Sequence, residues 1–488
     1  MLKKIKEKYN RIPKPAKASI WFVICSFLQT GISVITTPIF TRLLSTNEYG
    51  DYSVFMSWQA IILAVVALNV YSAVYTRGLV KFEEDKNRFA SSLHGLLITL
   101  CVFWTIIYTC FSSFWNSLFS LTSIQMYSML AMIWTSSMFN LWAAEQRVEY
   151  KYKGLVVVTA ICSFLKPLIG VIFVLIANDK VTARIVGLVL VELFVYSWIV
   201  VYEMRKGKCF FSLKYWKYTL FLTIPLLPHY LSQTMLASAD RIMIKNMVGS
   251  QEAGIYSLAY SIAQITTLFS AAILQSINPW IFKKIKNGLA SDIPGVAYGC
   301  MIIVAIINIL LIAFSPEIVW VFASKEYHDA MWLIPPIAMS VFFMFCYSLF
   351  ACFEFYYEKT YLISIATILC ASVNIGLNYV FIKLFGYQAA SYTTLICYVL
   401  YTLFHFLSMV IITKNKKRVS NPYSFWRLFV ITAFFLIAGF LLMLSYSNVR
   451  IRISIIILAV VWILFKKDWI RAFVANLLNL NKKKENER

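Results

Sequence analysis

Charge is scarce in this chain. Only 14% of its 488 residues are Asp, Glu, Lys or Arg, against 60% hydrophobic, and the mean hydropathy is +0.72. Soluble domains carry about a quarter charged residues, so a soluble enzyme, a disulfide-stapled secreted domain and a disordered tail protein are all excluded. Catalytic motifs are missing too. There is no G-x-S-x-G, no P-loop, no Asp-x-Asp and no histidine cluster. Ten cysteines are scattered without a C-x-x-C pair or any Cys/His metal spacing, and nine lie in apolar runs, where a thiol acts as a small core residue. No metal and no cofactor is expected. The basic start, Met1 to Lys17, leads into an apolar run with no small-residue cleavage site, which reads as a retained first helix.

What the chain has instead is long apolar stretches. They fall at 18–41, 51–76, 89–112, 118–143, 154–177, 182–202, 216–239, 252–281, 293–315, 329–353, 360–382, 388–412, 424–445 and 450–465. A spanning helix needs roughly 20 residues, so fourteen account for nearly the whole length. The expectation is an all-α polytopic membrane protein with about fourteen transmembrane helices. Large extramembrane loops are lacking: the longest outer connection, roughly Ser315 to Asp329, is too short for a catalytic domain. Basic residues outnumber acidic ones 45 to 22, a net +23. In a soluble protein that would suggest nucleic acid; here it fits cytoplasmic loops facing anionic lipid, with no nucleic-acid partner. With the N-terminus inside, 35 of the 45 basic residues fall on inner segments and 9 on outer ones. Both termini are therefore expected in the cytoplasm.

An internal repeat is visible. Leu43 to Ser53 follows the first stretch and Met247 to Ser257 follows the seventh, with Glu, Gly, Tyr and Ser coinciding at an offset of 204 residues. Ser45-x-x-Glu48 is a helix-starting capping box by itself, but the coinciding Gly and Tyr are not needed for a cap. Six spans separate the copies, so the halves have one orientation, as in parallel-repeat transporters with a path between lobes. The division drawn from this is 1–203 for a first lobe, 204–412 for a second, and 413–488 for two further helices and a basic tail.

Ionisable residues inside spans carry the functional signal, because they are costly in hydrocarbon. Lys166, just before Pro167, and Glu192 sit at matching depth on consecutive spans, which predicts a cross-helix ion pair. Such a pair is purely structural, or a cation that Glu192 holds until an anionic ligand arrives; the remaining reading is a lipid-facing Lys166 snorkelling outward. Arg42 and Arg77 end the first two spans, and Asp240 and Arg241 close the seventh; each is an interfacial anchor or a ligand contact. His229 follows Pro225 and Pro228, where distorted helix can line a cavity. His94 and His405 read as packing histidines, and Asn374 with Asn378 as an interhelical hydrogen-bonding face.

Thr37-Pro38-Ile39-Phe40-Thr41-Arg42-Leu43-Leu44-Ser45-Thr46-Asn47-Glu48-Tyr49-Gly50-Asp51-Tyr52 resembles the oligosaccharide flippase (polysaccharide biosynthesis protein, Wzx-like) family. So do Pro225 to His229, Ala239 to Ile244, Gly254 to Tyr260 and Asn278-Pro279-Trp280-Ile281-Phe282. The wider superfamily includes multidrug MATE exporters and lipid II flippases. The resemblance implies two six-helix lobes, two extra C-terminal helices and a central cationic cavity. It implies movement of undecaprenyl-pyrophosphate-linked oligosaccharide across a bacterial plasma membrane by alternating access, without enzymatic chemistry. Arg42, Arg77, Lys166 and Arg241 would meet the diphosphate, with Glu192, His229 and Asp240 nearby. Membrane lipids and a polysaccharide polymerase are the other partners it suggests. The rival readings are a cation-coupled exporter of the same fold, which would want an acidic cavity, and a membrane polymerase or ligase.

Overall fold

The structure is a computed structural model that describes residues 13–414 and 422–465. Among these residues every regular element is helical. The basic tail lies outside them. Among the described residues, ten helical segments are long and apolar enough to cross a membrane, and they coincide with ten of the fourteen apolar stretches. Among the others, Thr46–Val66 and Leu227–Met247 carry charge, and Val449–Phe465 has only 17 residues.

The chain forms two compact units, 1–253 and 254–488, with the seventh apolar stretch in the first. The sequence division at 203/204 is drawn one span earlier. In the first unit the helices are α1 (Lys14–Leu43), α2 (Thr46–Val66), α3 (Ala73–Lys81), α4 (Lys86–Cys110), α5 (Ser112–Phe119), α6 (Ser123–Val148), α7 (Tyr152–Ile176), α8 (Lys180–Gly207), α9 (Leu213–Thr223) and α10 (Leu227–Met247). Local chemistry sets their starts. Ser45 caps α2 in a reciprocal box, its hydroxyl accepting from the Glu48 amide at 3.3 Å while the Glu48 carboxylate accepts from the Ser45 amide at 2.7 Å. Thr122 and Gln125 repeat the device at α6, and Asp179 caps α8.

Two expected spans are broken. The stretch 51–76 ends at Val66, where Leu68 and Asn69 take left-handed φ of 49° and 51°, and α3 then begins afresh. Arg77 therefore sits within α3 and does not end the second span. The stretch 216–239 is divided by a short 3-10 turn, Ile224–Leu226, because Pro225 and Pro228 each remove a backbone donor; α10 then runs on to Met247. The two copies of the repeat meet: Asp51 of the first accepts from Ser250 of the second at 2.6 Å and pairs with Lys245 at 2.7 Å.

The second unit holds α11 (Ser250–Ala263), which crosses the boundary, then α12 (Ile265–Lys286), α13 (Ile293–Ala313), α14 (Ser315–Phe322), α15 (Ala330–Tyr356), α16 (Thr360–Phe385), α17 (Ala389–Lys414), α18 (Phe425–Leu444) and α19 (Val449–Phe465). The outer connection after α13 is mostly helical, since α14 fills it. The core is α15, buried along most of its length against α17. Asn378 donates to Asn374 at 3.2 Å and accepts from Thr393 of α17, the interhelical bonding expected of that pair.

Candidate functional site

The site lies in the first unit and is set by the crossing of α7 and α8. Gly187 on α8 faces Gly170 on α7 so closely that a Cβ at 187 would sit 3.4 Å from the Gly170 Cα. Small residues let two backbones approach, and in hydrocarbon that packing holds helices together. The crossing brings side chains one and two turns away into register. Lys166 Nζ donates to Glu192 Oε1 at 2.6 Å, and Thr135 of α6 donates its hydroxyl to Glu192 Oε2 at 2.6 Å. Glu192 is buried, its side chain 5% exposed, while the Lys166 side chain keeps 29% of its surface open. The expected ion pair is formed.

Lys166 opens into a cavity of about 260 Å³. Its wall includes Gln29, Ser33 and Thr36 of α1 and Ser163 of α7. Pro167 has no N–H, so the Ser163 carbonyl loses its helical donor at this wall. The resulting surface mixes polar and apolar side chains, and Glu192, which holds Lys166, stands behind it.

A second cation lines the same cavity, and sequence reasoning missed it. Arg184 of α8 is 9% exposed. Its guanidinium lies over two rings, 3.7 Å from the Phe40 centroid and 3.5 Å from that of Tyr52. Stacking on the rings leaves the edge of the guanidinium free, and among the described residues Nε and Nη1 are buried without a hydrogen-bond partner. An edge of N–H donors beside an ammonium is a receptor for an oxyanion, which a planar fork can grip with two parallel hydrogen bonds. The available signal was an Arg three residues into a span; hydropathy reading treats that position as an interfacial anchor. Phe40 and Tyr52 come from helices more than a hundred residues away, so only folding brings the rings to it.

The other predicted residues lie elsewhere. Arg42 and Arg77 are exposed at the end of α1 and within α3, outside this cavity's lining. Arg241 donates to the Ala237 carbonyl of its own helix at 2.9 Å, and Asp240 is buried beside it. His229 is half-buried against Tyr230 after the double-proline turn, its Nδ1 without a partner.

Solved structures share this fold. A lipid II flippase MurJ in an inward closed conformation superposes with a TM-score of 0.66 at 15% identity, covering 89% of this chain and 100% of that one. An inward-facing multidrug resistance MATE transporter of the MOP superfamily gives 0.62 at 14% identity, covering 82% and 99%. A relative described as an uncharacterized membrane protein, from Haemophilus influenzae, is 23% identical over 206 residues. That match takes in 41% of this chain and spans about half the relative's length, 51%. The fold of this chain is thus the one those flippase and transporter structures share. Residues 16–284, more than half of the chain, match the model of the polysaccharide biosynthesis protein family, and this multi-pass membrane protein belongs to that family.

Proposed function

We propose that the protein carries an undecaprenyl-pyrophosphate-linked oligosaccharide from the inner to the outer leaflet of a bacterial plasma membrane, supplying surface polysaccharide synthesis. The observation that carries the reading is Arg184, a buried cation with unpartnered N–H groups, beside Lys166 in one cavity. A diphosphate crossing an apolar wall needs such donors, since an unpaired anion in hydrocarbon is strongly disfavoured. Lys166 exchanges Glu192 for a phosphate oxygen, and Thr135 keeps Glu192 hydrogen-bonded when the lysine leaves. Alternating exposure of the cavity moves the head group with no covalent step. Two cations in a lining that includes no carboxylate among the described residues also disfavour a carrier of cationic drugs.

Deleting the gene should accumulate lipid-linked repeat units on the inner leaflet with unchanged sugar composition. Arg184→Met, at normal membrane abundance, should reproduce that phenotype, and Arg184→Lys should restore part of the export. Losing a charge-assisted contact is worth roughly 1.5–3 kcal/mol, or ten- to hundredfold in affinity. Shortened or unpolymerised units outside the cell would favour an enzyme instead.

A further inference from the structure

A second group of charges in the first unit plays no part in that transport reading. Glu145 on α6 and Glu203 on α8 are fully buried, 1% and 0% exposed. One ammonium serves both: Lys206 pairs with Glu145 directly and stands 3.7 Å from Glu203 Oε2. Both carboxyl groups therefore stand within salt-bridge range of one ammonium. Among the described residues, Glu145 Oε2 and both Glu203 oxygens are buried without a hydrogen-bond partner. The Tyr75 hydroxyl, fully buried and within electrostatic range of both carboxyl groups, has no partner either.

Glu145 also lines a cavity of about 430 Å³ with Glu83, Lys86, Glu149 and Lys151, so solvent reaches the edge of the cluster. The outer charges balance one another at the surface: Glu149 and Glu83 stand against Lys86 and Lys151, whose side chains are 41% and 55% exposed and which both pair with Glu149. The inner three do not balance. Two carboxylates against one ammonium leave one negative charge in excess on buried oxygens. Burial disfavours the charged form of a carboxyl, and a like charge sharing its one counter-ion disfavours it further. A proton on one carboxyl removes the excess and gives its neighbour an O–H to accept.

We propose that Glu145 and Glu203 form a proton-binding pair that loads through the cavity at Glu83 and Lys86. Loading adds one proton from water to the Glu203 carboxylate, forming an O–H aimed at Glu145, and release returns it to water. No electrons move. The titratable groups facing the pair are Tyr75 of α3, Lys86 and His94 of α4, Glu149 beyond α6, and Tyr202 and Lys206 of α8. Only Lys206 enters the inner balance, because Lys86 is engaged with Glu149 at 2.6 Å. Proton loading then biases the transport cycle, a step that rests on the flippase reading.

The test is infrared difference spectroscopy of the full chain in liposomes as pH is raised from neutral. The wild type should show a protonated-carboxyl C=O band that bleaches; Glu203→Gln should lack it, while Glu83→Gln keeps it. Superimposable spectra for the wild type and Glu203→Gln would overturn the site. If Glu203→Gln does not fold, Glu203→Asp must change the proton affinity at least tenfold, and an unchanged midpoint overturns the site equally. For the coupling step, Glu203→Gln that binds no proton yet exports glycan at the wild-type rate would sink it. A failed flippase reading is recognised separately, by a gene deletion that leaves the glycan unchanged while the infrared result stands.

Discussion

At the scale of single residues, the first-unit cavity turns on what each charge is bonded to. Lys166→Ala alone leaves Glu192 buried and uncompensated, and should destabilise the protein by about 3–5 kcal/mol. Lys166→Ala with Glu192→Ala should recover membrane abundance but stay inactive in glycan display; an active double variant would remove Lys166 from the substrate path. Arg184 needs no such compensating change, because it neutralises no carboxylate. Outside the spans, Glu149 gives a pH signature. Burial raises its carboxyl, but the hydrogen bonds and charges of Lys151 and Lys86 outweigh that and hold it down at about 2. A depressed carboxyl stabilises the fold above the ordinary range near 4.5, and that stability is lost as pH falls from there toward 2. Thermal unfolding followed across that window should show an acid limb in the wild type that is shallower in Glu149→Gln.

At the scale of elements, the crossing of α7 and α8 decides whether Lys166, Glu192 and Arg184 share a cavity. Gly187→Ala adds a methyl at ordinary contact distance from Gly170 and should be tolerated. Gly187→Leu cannot fit against that backbone, so the helices must part by the width of a side chain. Export should then fall at least tenfold while Gly187→Ala stays near wild type, measured as surface glycan per unit of membrane protein. The capping boxes at α2 and α6 could be read from Ser45-x-x-Glu48 and Thr122-x-x-Gln125, because capping is local. The break after Val66 could not. Its left-handed Leu68 and Asn69 are side-chain-bearing residues that packing imposes on a stretch that reads as uninterrupted apolar helix.

At the scale of the whole molecule, the bias of 35 basic residues against 9 predicts the topology. Reporter fusions after Lys153 should read cytoplasmic and a fusion near Asn116 external; the reverse pattern would overturn the inward placement of the termini. Asn116 lies in the short α5 between α4 and α6, and its amide donates to Ser123 at 2.8 Å. The fusion is therefore best placed so that this bond survives. The same bias explains why so basic a chain need not bind nucleic acid, since anionic lipid beside inner loops gains from each Lys or Arg near the surface.

Composition by itself determined that this protein lives in a membrane as helices. A chain so poor in charge must bury apolar surface all round, and hydrocarbon offers no partner for backbone N–H and C=O outside a helix or closed barrel. The depth of Lys166 and Glu192 was also legible, because helix rise is fixed and one short turn joins their spans. Tertiary structure alone decided that Arg184, among the described residues, is buried with donors left unpartnered. Arg184 looks like a span-end anchor in the sequence, and becomes a buried, stacked donor only when Phe40 and Tyr52 close on it. The buried carboxyls of Glu145 and Glu203 were hidden for the same reason. Residues 58 positions apart on separate helices share one lysine only after those helices pack, and it is packing that buries both carboxyls.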